Sequence, residues 1–581
     1  MAKLIMGNNW NFLFLCWSIV TAIVNVQGGL SRLKRETADL TPGNWDSCKP
    51  GAEAPPTRVN TADRVTQLRN YFATQGIQGY LIPNEDAHQS EYPSQYDKRR
   101  GYISGFQGSA GFAVITIDKQ ALWTDGRYFL EAEDTLDCNW ILMRQNEPGV
   151  PTMIEWLKQE LSRGNFFGAS PFLIGSSDWK YYKEELLKSG IYMDPVPDEL
   201  VDRFWSSGLG RPMQPNSPIN MLPMQFAGRS WQDKVKDMRE AMDEKEVDMM
   251  VVTSLDETAW LFNLRAGDID YNPFFISYAI LEKDKITLFL LEHLNKITAE
   301  PTDEAATSTV AVHLNTNNDG TCGGKTADCV EVKAYNPADV VNVVKTRAQT
   351  YNKVWLGYSC NQAVYSAINE SKIHQDNTPI ATTKTRKNEV EVEGMKKSHI
   401  RDAVALITFL EKLETDVKAG KKCTELSAAD DLKQLRLYVK LSYFVIYGGK
   451  PEPGYYEDGQ FGIRLENIVM VKNASTTYKF PGTQFLTFEH VTLVPYEPHL
   501  IKFDLLNEDQ IEYLNDYNMR VRDQVGPELK KQGKNAAYDW MMKKTEKISV
   551  NNKDTSGANT INITLPLIII AFFLEYFFSN V

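Results

Sequence analysis

The alternation of apolar and polar positions predicts the elements. From Arg64 onward Val65, Leu68 and Phe72 recur at helical spacing, and Gly76 follows as a stop. Tyr80-Leu81-Ile82 then reads as a buried strand ending at Pro83. The same order returns 170 residues later. Lys234-Val235 answers Arg64-Val65, Met238 and Met242 answer Leu68 and Phe72, and Met250-Val251-Val252 answers Tyr80-Leu81-Ile82. Leu261-Phe262-Asn263-Leu264 sits where Ile103-Ser104-Gly105-Phe106 sat. An offset held through several elements predicts a duplicated α/β unit.

A third region begins near Thr382. Lys387-Asn388-Glu389 opens a long amphipathic helix bearing Met395, Ile400, Ala403, Ile407 and Leu410, and a second helical pattern runs from Cys423-Thr424-Glu425-Leu426 to Arg436. His399 lies inside the first pattern, as a packed or solvated side chain. Gln460 to Val471 alternates as one strand, with Phe461, Ile463 and Leu465 on one face and Gly462, Arg464 and Glu466 on the other. Pro453-Gly454 and Asp458-Gly459 are turn signals. A hairpin here can aim Glu452 and Glu466 at one point, and converging carboxylates suit a pair of Mn²⁺ or Mg²⁺ ions. The plain alternative is a charged hairpin edge facing water. Phe485 to Pro495 alternates as a further strand, with His490 as a surface or packed residue, and Glu508–Arg522 closes as an amphipathic helix.

Composition narrows the class. The 581 residues are enough for roughly three or four domains. A hydrophobic content of 43% with 11% aromatics is that of a globular chain with a full core. The net charge of −12, with no basic stripe, argues against a nucleic-acid partner.

The two ends predict export. Phe12–Val24 is a short apolar run with small residues after it, which assigns 1–28 to a secretory signal peptide, with an uncleaved anchor as the alternative. Residues 29–59 read as a polar linker. Ser556-Gly557-Ala558, a polar spacer and an apolar tail from Leu565 to Phe578 predict a glycosylphosphatidylinositol signal over 549–581, attached at Ser556. No Lys or Arg follows the tail, which disfavours an ordinary spanning helix. Asn369-Glu370-Ser371 and Asn473-Ala474-Ser475 are glycosylation sequons. Cys322 and Cys329, seven apart in a Gly-rich loop, suggest a local disulfide.

The segment Glu452–Glu466, Glu-Pro-Gly-Tyr-Tyr-Glu-Asp-Gly-Gln-Phe-Gly-Ile-Arg-Leu-Glu, resembles the last metal-ligand segment of the Xaa-Pro aminopeptidases, in the creatinase/methionine-aminopeptidase fold. The resemblance implies two creatinase-like α/β amino-terminal domains, 60–215 and 225–380, before an α+β "pita-bread" catalytic domain. It implies two Mn²⁺ ions, with Glu452 and Glu466 as ligands. Complete members remove an amino-terminal residue that precedes proline. Gly105-Phe106-Gln107-Gly108-Ser109-Ala110-Gly111 and Trp123-Thr124-Asp125-Gly126-Arg127 resemble the family's first domain, where the Asp-Gly turn presents an arginine to the peptide, in some members across a subunit boundary. Arg127 is the matching residue. The alternative is an arginine paired with a nearby carboxylate.

One stretch departs from the family. Between Arg436 and Pro451 stands Leu437–Gly449, where the resembled family carries an Asp-Ser/Ala-Gly motif, a second aspartate and a Gly-rich loop around a histidine ligand. None of the seven histidines has that setting, so three of the five ligands and the catalytic histidines lack counterparts. The catalytic domain is therefore expected to be incomplete, spanning 382–436 and 451–548 around an atypical junction at 437–450. It is expected to expose strand edges and apolar surface. The expectation is a family member at the outer face of the plasma membrane with no catalytic residues of its own and negligible peptidase activity. The alternatives are a binding or decoy protein, forming a homodimer or pairing with an intact relative through its amino-terminal domains, and an incomplete isoform or misjoined gene.

Overall fold

The computed structural model describes residues 38, 40–197, 199–300, 308–324, 328–438, 454–457, 460–478 and 480–549. The signal segment 1–28, Glu452, nearly all of the 437–450 junction and Ser556 lie outside them.

The first unit is a six-stranded mixed sheet built from β1 (Gly79–Ile82), β2 (Phe112–Thr116), β3 (Gln120–Thr124), β4 (Ile141–Arg144), β5 (Phe166–Ala169) and β6 (Tyr192–Pro195). Its order is β4-β3-β2-β1-β5-β6. Helix α1 (Ala62–Asn70) packs on it through Val65 and Leu68, and Phe72 follows in the next turn. Gly76 closes this helical region in the left-handed conformation.

The second sheet repeats the first. It contains β7 (Met249–Val252), β8 (Ser277–Glu282), β9 (Ile286–Leu290), β10 (Glu331–Ala334), β11 (Val354–Leu356) and β12 (Ile373–Gln375), in the order β10-β9-β8-β7-β11-β12. Each pairing has the same sense as its counterpart: β1–β2 and β7–β8 are antiparallel, β1–β5 and β7–β11 parallel. Helix α2 (Trp231–Glu244) answers α1, capped by Ser230 Oγ accepting from the Asp233 amide and burying Trp231, Val235, Met238 and Met242. Asn263 has φ +53° where Gly105 has +86°, so the two units turn left-handed at matching places. The duplication is thus present at the level of topology.

The two sheets are joined along a polar seam. His88 is buried between them, its ring nitrogens 2.8 Å from Thr253 O and 2.8 Å from Tyr335 Oη. Asn361 Nδ2 donates to Ala87 O at 2.7 Å, and Gln375 Nε2 to Ser176 Oγ at 3.0 Å. Ahead of the first sheet, the arm expected as a linker is pinned by a Cys48–Cys138 disulfide and a buried Trp45. The local Cys322–Cys329 disulfide is formed.

The third region is helical at its centre. Helix α3 (Glu389–Lys418) begins with a capping box between Asn388 and Glu391, and α4 (Glu425–Tyr438) packs beside it. Helices α5 (Glu508–Lys531) and α6 (Asn535–Lys544) complete a core in which Val404 and Ile407 meet Val521, Val525, Leu529 and Met541. Two small sheets accompany these helices. One is β13 (Gly454–Glu457) with β14 (Phe461–Arg464), the other β15 (Val469–Asn473) with β16 (Leu486–His490). Each has only two strands among the described residues. The expected single strand from Gln460 to Val471 is therefore broken at 465–468. The break has a tertiary cause. Asn467 is buried and donates to Tyr496 Oη at 2.5 Å, and the Ile468 amide donates to Thr492 Oγ1 at 2.9 Å.

Candidate functional site

The hairpin β13–β14 sets Gly454 opposite Arg464 and Tyr456 opposite Gly462. Its faces are reversed from ordinary amphipathic burial. Phe461 and Leu465 are exposed, whereas the side chains of Arg464 and Glu466 are only 9% and 6% exposed. Such a burial pattern needs internal charge compensation. Arg464 Nη2 supplies it, 3.1 Å from Glu466 Oε2.

Arg127 sits on the turn after β3. Its Nε and Nη2 donate to the two Asp125 carboxylate oxygens at 2.9 and 2.8 Å, and the guanidinium lies 5.1 Å from the Tyr128 ring centre. The hydrogen bonds to Asp125 raise the pKa of Arg127, with a smaller contribution from Tyr456 of β13. The glycines of 105–111 read as a tight turn between strands, but the loop instead joins the helix Arg99–Ser104 to β2. Buried Arg100 ties it down, donating to Gly111 O at 2.7 Å and also to Gly108 O. A Cβ at Gly111 would meet Trp123 O at 2.3 Å.

A polar network beside Glu466 was not legible in the sequence. Asn467 meets Tyr496, Tyr496 interacts with Tyr513, and Tyr513 Oη lies 2.6 Å from His490 Nε2. The His490 ring centre is 5.5 Å from those of both Tyr513 and Tyr517. Burial pushes Tyr496 up to about 12 and lowers His490, with Arg520 adding to the latter. The available clue was the spacing of Tyr513 and Tyr517, four apart on one helix face. His490 is packed, as its setting suggested. His399 is partly buried on α3, and burial lowers its pKa.

Among the described residues, no group of three or more His, Cys, Asp or Glu is arranged to hold a metal ion. Glu466 is engaged by a guanidinium. Asn369 and Asn473 are both exposed at the surface.

Comparison with known proteins gives the class first. Residues 64–199 and 210–391 each match a profile described as a creatinase/prolidase N-terminal domain, and 484–548 match the C-terminal region of peptidase M24. The X-prolyl aminopeptidase of Caenorhabditis elegans, described as a cytosolic enzyme with a di-nuclear active site, superposes with a TM-score of 0.73 at 25% identity, covering 84% of this chain and 100% of that one. Xaa-Pro aminopeptidase 2 of Sus scrofa is 31% identical over 655 aligned positions, 89% of this chain and 93% of its own length. A probable Xaa-Pro aminopeptidase P of Pyricularia oryzae is 30% identical, over 84% of this chain and 99% of its own length. The chain belongs to the Xaa-Pro aminopeptidase family.

Proposed function

We propose that this chain is an exported, lipid-anchored family member that keeps the peptide-facing scaffold without hydrolysing peptides. The carrying observation is the stretch Leu437–Gly449, which stands where the resembled family carries its Asp-Ser/Ala-Gly motif, second aspartate and histidine loop. Gly454 pairs with Arg464, and Glu452 and Glu466 stand two residues further out along the sequence on either side. Two carboxylates do not fix two Mn²⁺ ions, which need a larger and more varied donor set. The pig alignment supports a skipped segment. It runs over 655 positions while taking in only 89% of the 581 residues of this chain, so well over a hundred aligned positions have no partner here. The junction at 437–450 is where we put that loss.

Purified chain supplied with Mn²⁺ should leave an Arg-Pro-Pro peptide intact. Release of the amino-terminal arginine that is sensitive to a chelator overturns the reading. In this reading Arg127 contacts the peptide, 60–215 and 225–380 are its two amino-terminal domains, and Ser556 takes the anchor. Release from cells by a phosphatidylinositol-specific phospholipase tests the anchor; retention would indicate a spanning segment.

The two complete six-stranded sheets support a second reading, a non-catalytic binding partner acting through intact amino-terminal domains. Co-purification of an intact relative through residues 60–380 supports it, and a monomeric elution with no partner counts against it. Transcript reads across Arg436 to Pro451 distinguish both readings from an incomplete gene.

A further inference from the structure

The hairpin β15–β16 pairs Val469 with His490, Val471 with Phe488 and Asn473 with Leu486. Residues directly opposed in an antiparallel pair share a face, and alternate pairs share the same one. These six side chains therefore form one face. Its base is covered, since Val469 is buried and His490 packs against Tyr513 and Tyr517. Its outer half is bare: Val471, Phe488 and Leu486 are 58%, 66% and 62% exposed. Phe480, in the connecting loop, is exposed as well. Grouped apolar side chains in water normally have an occupant.

Asn473 stands at the rim of this face. It is the last residue of β15, is exposed, and begins Asn473-Ala474-Ser475. Its Oδ1 accepts from Gln484 Nε2, and Ser475 is also exposed. We propose that Asn473 carries an N-linked glycan whose first sugars lie over Leu486 and Phe488 and cover the bare half of the face. This rests on the export reading above.

Chemistry and reach both agree. The Asn473 Nδ2 forms a bond to the anomeric carbon of a lipid-linked diphospho-oligosaccharide. The bond from that carbon to the diphosphate oxygen breaks, the lipid diphosphate leaves, and the amide gives up one proton. Directly opposed side chains in a sheet are about 5 Å apart and diagonal ones about 7–8 Å. The first sugars on Asn473 can therefore lie over Leu486 directly and Phe488 diagonally. A pyranose ring presents a C–H face that stacks on an aromatic ring, while its hydroxyl edge remains in water. Asn369 is the contrast. Its Oδ1 accepts from the Ser371 amide at 3.0 Å and Oγ at 2.9 Å, capping a short turn with charged Glu370 beside it.

The full chain is expressed through the secretory pathway of animal cells, and both sequons are mapped by peptide mass after amidase treatment. Cell-surface yield and binding of anilinonaphthalene sulfonate by the protein extracted from the membrane are then compared for the wild type, N369Q, N473Q and N473Q/F488T. We expect Asn473 to be modified. N473Q should lower cell-surface yield several-fold and raise dye fluorescence, N369Q should change neither, and adding F488T should bring dye binding back down. Enzymatic removal of the glycan from the folded protein should also raise dye binding. Modification at Asn369 but not Asn473 overturns this inference alone. If neither is modified, the export reading fails with it. A modified Asn473 whose loss leaves dye binding unchanged overturns the covering role.

Discussion

The guanidinium of Arg464 lies 3.1 Å from the carboxylate of Glu466, and more than nine-tenths of each side chain is buried. The pair ties the end of β14 to the segment before β15. Breaking a buried ion pair by removing one partner costs on the order of 3–5 kcal/mol. R464M should destabilise the carboxy-terminal region in that direction. R464M/E466L should recover part of it, because the contact and the desolvation of both charges are removed together. Denaturant melts of the single and double variants measure the coupling.

The seam at His88 makes stability depend on pH. Burial lowers the His88 pKa from 6.5, while Asp86 and Asp97 oppose the shift; Tyr278, Tyr335 and the Thr253 carbonyl face the ring. The unfolded state binds the proton more tightly, so stability is full above about pH 6.5 and falls as pH drops below it. The loss continues down to the lower folded value. Thermal melts from pH 8 to pH 5 should show this slope, and H88Q should reduce it at the cost of a lower midpoint throughout.

Lys234 behaves in the opposite pH range. It is buried, donates to Trp260 O at 2.8 Å and Asn263 Oδ1 at 2.6 Å, and burial lowers its pKa to about 7. Between about pH 7 and the unfolded value near 10.5 the unfolded chain holds more protons, so stability rises with pH. K234M should abolish that rise, read as the difference in melting temperature between pH 7 and pH 10.

The Cys48–Cys138 bridge closes a separation of 90 residues. By loop entropy such a crosslink contributes about 4–5 kcal/mol. A C48S/C138S variant should melt well below the wild type, and reductant should lower the wild-type midpoint toward it.

The doubled amino-terminal architecture was legible because its strands are continuous apolar runs. Met250-Val251-Val252 and Tyr80-Leu81-Ile82 are buried on both faces, so local pattern and tertiary position agree. The carboxy-terminal sheets were less legible. Alternation from Gln460 to Val471 correctly separates two faces, but it does not reveal that the Arg464/Glu466 face turns inward. Nor does it disclose the break at Asn467, which depends on Tyr496 nearly thirty residues away. Tertiary hydrogen bonds override local periodicity there. The ligand candidate Glu452 lies outside the described residues, and Arg127 is engaged by Asp125 of its own turn.

The two short hairpins have a consequence for handling the protein. Each presents outer backbone amides and carbonyls with no neighbouring strand among the described residues. Backbone groups of this kind recruit whatever extended chain comes near, including another molecule of the same kind. Purity measured at low concentration will therefore be a poor guide to behaviour at high concentration, where ribbon-like association begins at these margins.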